Sequence, residues 1–392
     1  MKESNLMNIC TEVDKMQNET YVPMSAPIVQ TSSFYFANYE DFIGVSEDEK
    51  NHYVYTRGSN PTTKSLELKL AQLEGGEQCK VFASGMAAIS ATLFTLVSAG
   101  DHILMLNTVY GEAVAFAKYM SKFGVSVDRV DVETMSDIEN NIKETTKIIY
   151  FESPSSQKFE LLNLSAIADL AKVRHIYTVI DATWASPIFQ HPLAAGIDIV
   201  IHSLSKYIGG HSDIVGGAVI GKRSVVDSIF EHGHQSLGAV SSPFNSWLAL
   251  RGLRTLPVRM QHLSKAITML LDGLAGDQRI KRIYHPYIAN ETQRQLADKY
   301  LSGYGPLFAI DLTDESFEKL KIFVDALEVM SIGVSWGGFE SLVLPAFKGN
   351  NAANLAERGL PVSHIRMYLG LEDPSTVLSD IKQALDKAYG AV

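Results

Sequence analysis

Residues 181–217 read DATWASPIFQHPLAAGIDIVIHSLSKYIGGHSDIVGG, and two of their side chains organise the interpretation of the whole chain. Asp181 closes one apolar, β-branched run (176–181), and Lys206 stands just beyond a second (197–203). In an open α/β sheet the ligand crevice lies outside the carboxyl ends of the strands, so the two runs bring Asp181 and Lys206 to one edge. A lysine in that place, beside Ser203 and Ser205 and ahead of Gly209-Gly210, suits an imine to an aldehyde cofactor that carries a phosphate. Asp181 suits the partner of a protonated pyridine nitrogen. Taken alone, it suits equally the N-cap of the following helix, and Lys206 alone reads as a solvated loop lysine.

Outward from this stretch, residues 60 to 230 alternate short β-branched runs with amphipathic ones, the pattern of βα units over a mostly parallel sheet. Strands are predicted at 80–83, 102–106, 147–152, 176–181, 197–203 and 215–220. A helix is predicted at 61–73, with Asn60 as N-cap, Pro61 at the first position, Leu66, Leu70 and Leu73 on one face, and Gly75-Gly76 as the stop. Residues 84–98 read as a buried helix, too short to span a bilayer. Residues 1–59 lack periodicity and read as an extended arm rather than a domain, long enough to lie on something. Beyond 255 the pattern shifts to longer helices, 260–274 and 315–330, with a strand near 307–312. The expected organisation is an arm (1–59), a doubly wound α/β domain (60–254) and a smaller α+β domain (255–392).

Composition narrows the function. The 392 residues carry 34 Lys+Arg against 44 Asp+Glu, a formal net charge of −10, and no basic stripe, which disfavours nucleic acid as a partner. The two cysteines, Cys10 and Cys79, show no ligand spacing, so no metal site is expected and a reducing cytoplasm fits. The polar, acidic start MKESNLMNICTEVDK does not resemble a targeting signal. No G-x-G-x-x-G follows a strand, which disfavours a nicotinamide-dependent dehydrogenase.

Eight ordered pieces carry a resemblance: YVYTRGSNPT (53–62), LEGGEQCKVFASGMAAI (73–89), HILMLNTVYG (102–111), FESPSSQKFE (151–160), VIDATWASP (179–187), HSLSKYIGGHSDIVGGAV (202–219), SWGGFESL (335–342) and IRMYLGLED (365–373). Together they resemble the Cys/Met-metabolism family of pyridoxal 5'-phosphate enzymes. The resemblance implies the type I, aspartate aminotransferase-like fold, with a mostly parallel large domain and a smaller α+β C-terminal domain. It implies that Lys206 is the Schiff-base lysine and Asp181 the pyridinium partner. Gly85 and Met86, with the hydroxyls of Ser203 and Ser205, would bind the phosphate, the first two at a helix N-terminus. Tyr110 would lie over the pyridine ring and take part in catalysis. Tyr55 and Arg57 would reach the phosphate of a neighbouring subunit, Arg366 would clamp the substrate α-carboxylate, and Ser335 and Trp336 would assist it. The assembly implied is a tetramer built from two dimers.

Three departures refine this. Ser156-Gln157 replace the Asn-Pro usual in the wider family, Ala182 replaces the usual Asn after the aspartate, and Glu112 follows Tyr110-Gly111 where methionine γ-lyases have Cys. The first favours the branch that cleaves L-cystathionine, or a related S-substituted cysteine, by α,β-elimination, and the third counts against methionine γ-lyase activity. The products would be a thiol such as homocysteine, pyruvate and ammonia, with Lys206 as base and Lys206 or Tyr110 as proton donor. γ-Elimination or γ-replacement uses nearly the same residues and remains the alternative.

Overall fold

The computed structural model describes residues 3–13, 22–46, 48 and 50–390. The chain divides into two compact units: Met1–Glu152 with Asn163–Gly209 and Asp213–Pro257, and Ser153–Leu162 with Gly210–Ser212 and Val258–Val392.

The first unit is built on seven strands: β1 (Gln78–Phe82), β2 (His102–Leu106), β3 (Ser126–Val130), β4 (Thr146–Glu152), β5 (Tyr177–Asp181), β6 (Ile199–Ser203) and β7 (Gly217–Gly221), in the order β1-β7-β6-β5-β4-β2-β3. β7 runs antiparallel to both neighbours, and the other pairs are parallel. Every residue of β1, β2 and β7 is buried, as expected of strands covered on both faces. β3 was not among the predicted strands. Its SVDRV sequence sits at the sheet edge, where an exposed face leaves no apolar run to read.

Local chemistry sets the helix boundaries. In α3 (Pro61–Glu74), the Asn60 side chain accepts the Thr62 N–H, and Gly75 ends the helix at φ 72°. In α4 (Gly85–Leu96), Ser84 caps the Ala87 N–H at 3.0 Å. The segment expected to be an extended arm contains two short helices, α1 (Glu3–Thr11) and α2 (Tyr39–Ser46); residues 1–2, 14–21, 47 and 49 of it lie outside the described residues. Leu6 and Cys10, one turn apart, are buried, and Lys69 of α3 donates to the Glu12 carbonyl at 2.8 Å just past α1.

The second unit holds β8 (Ile280–Tyr284), β9 (Leu307–Leu312), β10 (Ser331–Ile332), β11 (Leu342–Pro345) and β12 (His364–Tyr368), in the order β10-β11-β12-β9-β8. Only the β10–β11 pair is parallel. Ile267, Leu270 and Leu274 from one helix and Ile381 and Leu385 from another pack on Phe308, Ile310 and Met367 of this sheet. The helix expected at 315–330 spans only Phe317–Asp325. The reason is Asp380, whose carboxylate accepts the backbone N–H groups of Glu328, Val329 and Met330 and turns the chain there. Among the described residues no helix is long and apolar enough to cross a membrane.

Candidate active site

Asp181 ends β5, where its register partners are Glu152 of β4 and Ile201 of β6. The residues after it turn back on it. Thr183 donates both its N–H (3.0 Å) and its hydroxyl to Asp181 Oδ1, and the same hydroxyl accepts the Ser203 N–H at 2.8 Å. The Ala182 N–H donates to the Ile201 carbonyl at 3.0 Å. Burial pushes the Asp181 carboxyl above its ordinary value, against the Thr183 hydrogen bonds and the positive charges of His202 and Lys206. The N-cap alternative fails on this geometry, because the carboxylate is occupied by a tight Asp-Ala-Thr turn at the strand end. Thr183 is a residue that sequence reasoning missed; the D-x-T spacing, an Asx-turn signature, could have found it.

Lys206 is half-buried in the turn that leaves β6. That turn is pinned by the Leu204 N–H to Gly216 O (2.9 Å) and the Gly209 N–H to Leu204 O (2.8 Å). Ser205 accepts the Gly216 N–H at 3.1 Å. Ser203 faces α4: a Cβ on Gly85 would lie 3.2 Å from Ser203 Cβ and Oγ, and a Cβ on Gly217 would strike the Ser84 carbonyl at 2.2 Å. The backbone at 84–86 therefore runs directly against Ser203, and the first N–H groups of α4, those of Gly85 and Met86, lack intrahelical acceptors.

Tyr110 precedes α5 (Gly111–Tyr119), and its N–H donates to Glu152 Oε1 at 2.5 Å, which ties it to the strand beside Asp181. Glu152 was missed in the sequence because its partner, Tyr110, lies 42 residues away in the loop before α5. Arg57 donates from Nε to Gln235 at 3.2 Å and lies 5.4 Å over the Tyr55 ring. In the second unit, Arg366 of β12 donates to the Val334 carbonyl at 2.9 Å, which joins it to the loop that carries Ser335 and Trp336. The acids nearest it in sequence are committed elsewhere. Glu372 accepts the Ser341 N–H and hydroxyl, both at 2.8 Å, and Asp373 caps the last helix.

Comparison with known proteins identifies the family. The family model described as Cys/Met metabolism PLP-dependent enzyme matches residues 8–386. This chain belongs to that family. It is 36% identical over 375 residues to a cystathionine β-lyase of Lactococcus lactis subsp. cremoris (94% of this chain, 96% of the relative). It is 32% identical over 394 residues to an L-methionine γ-lyase of Fusobacterium nucleatum subsp. nucleatum (99% of each). Among solved structures, a cystathionine γ-lyase from Lactobacillus plantarum, complexed with L-serine, superposes with a TM-score of 0.89 at 31% identity, covering 99% of each chain.

The fold is type I of the pyridoxal phosphate enzymes, and pyridoxal phosphate is the family's cofactor. The residues present fit it. A helix N-terminus opened by Gly85 matches a phosphate, a half-buried carboxylate at a strand end matches a protonated ring nitrogen, and a lysine stands at the same edge. Relatives named for β-elimination, γ-elimination and γ-lysis share this framework, so family membership establishes a pyridoxal phosphate-dependent lyase of sulfur amino acids and leaves the bond cleaved to a finer argument.

Proposed function

We propose that this enzyme carries out α,β-elimination on L-cystathionine or a related S-substituted cysteine, releasing homocysteine or another thiol, pyruvate and ammonia. The observation that carries this reading is Glu112 after Tyr110-Gly111, a carboxylate at the exposed start of α5 in place of the thiol typical of methionine γ-lyases.

The bound cofactor supplies an aldehyde carbon for the substrate amine and a ring that accepts electrons from the substrate Cα. Lys206 holds the cofactor at rest and, once released, moves the proton at Cα. Asp181, oriented by Thr183, keeps a proton on the ring nitrogen. Gly85, Met86 and Ser203 bind the phosphate, with Ser205 bracing the turn through Gly216. Tyr110 covers the ring and shares with Lys206 the donation of a proton to the leaving sulfur. Arg366 clamps the substrate α-carboxylate through its planar fork, with Ser335 and Trp336 shaping that end of the pocket.

Tyr55 and Arg57 serve the phosphate of a second copy of the chain in a dimer, two of which make a tetramer. The exposure of Met24 (77%), Tyr35 (95%) and Tyr39 (76%) along the arm supports such an interface. Two buried free cysteines suit a reducing cytoplasm. Purified holoenzyme given L-cystathionine is expected to yield pyruvate and homocysteine. 2-Oxobutyrate and cysteine would overturn the assignment in favour of γ-elimination.

A further inference from the structure

We infer that Glu74 and His202 are positioning residues for Asp181, acting from behind the sheet. This rests on Asp181 being the partner of the cofactor's ring nitrogen.

His202 lies on β6 between the two residues that hold the Asp181 turn: Ile201, whose carbonyl accepts the Ala182 N–H, and Ser203, whose N–H donates to the Thr183 hydroxyl. Its own ring is fixed from the other side, where Nε2 donates to Glu74 Oε1 at 2.5 Å, with both side chains 1% exposed. An anchor on His202 therefore sets the backbone that orients Thr183, and Thr183 orients the carboxylate.

Stability does not account for Glu74. It is buried, its Oε2 has no hydrogen-bond partner among the described residues, and it is the last residue of α3, the negative end of the helix dipole. Each of these disfavours a carboxylate, and a buried ion pair offers little over an apolar pair of the same shape. What the arrangement does provide is a His202 ring held in one orientation on the strand paired with that of Asp181. The charged and titratable groups around it are Glu74 from α3, Asp181 from β5, His191 beyond residues 186–189 and Lys206 from the following turn.

The test uses full-length holoenzyme with Glu74→Gln, Glu74→Ala, His202→Gln and, as the reference, Asp181→Asn. Readouts are kcat, KM, thermal unfolding and the pH midpoint of the cofactor's visible absorption. Glu74→Gln is expected to fold and bind cofactor, with kcat lowered about tenfold, the scale of one hydrogen bond to a charged group, and KM little changed. Glu74→Ala falls further, and the absorption midpoint moves in the direction seen with Asp181→Asn. If His202→Gln fails to fold, the near-isosteric Glu74→Gln decides. Wild-type kcat and midpoint with lowered thermal stability would make the pair a structural staple and overturn the inference while Asp181→Asn remains impaired. An Asp181→Asn enzyme with unchanged kcat and spectrum would instead overturn the underlying reading, and this one with it.

Discussion

At the scale of single residues, Asp181 sets function against stability. Burial raises its pKa, so the folded protein holds the neutral form more tightly than the unfolded chain does. A raised carboxyl contributes stability below its unfolded pKa and loses it as pH rises through the folded value. In the cofactor-free protein, Asp181→Asn is therefore expected to raise the urea midpoint at pH 8, with the gain shrinking as pH falls towards 4. Equal stability of the two proteins at pH 8 would contradict this. On the proposed function, the same substitution removes the charge that partners the cofactor's ring nitrogen. Asp181 and Lys206 were legible in the sequence because each closes or follows an apolar run. Glu152, Glu74 and His202 were not, because their partners are far away along the chain, and nothing in the order of residues pairs position 74 with position 202.

At the scale of elements, the proposed phosphate cradle depends on how closely β7 approaches the start of α4. A Cβ at Gly217 would lie 2.2 Å from the Ser84 carbonyl oxygen, a backbone atom with no rotamer to yield. Gly217→Ala is expected to weaken pyridoxal phosphate binding at least about tenfold, read by fluorescence titration, since each 1.4 kcal/mol of misfit costs that factor. Gly44→Ala, where nothing lies within 4 Å, serves as the silent control. Retained affinity in Gly217→Ala would show that the cradle does not bind the phosphate. The start of α3 was read well, since Asn60 caps it through Thr62, two residues along. The end of the helix at Phe317–Asp325 was misread, because the carboxylate that stops it belongs to Asp380, in another helix.

At the scale of the whole molecule, the division of labour between copies is testable by complementation. If Tyr55 and Arg57 act in a second subunit, Lys206→Ala and Arg57→Ala chains, each impaired alone, restore one intact site per mixed dimer. Random reassociation then recovers about a quarter of the wild-type sites, the statistical share for a two-fold interface. Activity no higher than the average of the two variants would place the arm in its own chain's site.

By itself, the sequence determined the mostly parallel sheet, the caps of α3 and the strand-end placement of Asp181 and Lys206. These follow from periodic burial and from contacts between residues a few positions apart. Only the tertiary structure decided the Thr183 bridge between β5 and β6, the seating of Tyr110 on Glu152, the close approach of Gly85 to Ser203 and the buried Glu74–His202 pair. Such contacts join positions distant along the chain, and they exist only once packing has excluded water and left each buried polar group to find its partner in the protein.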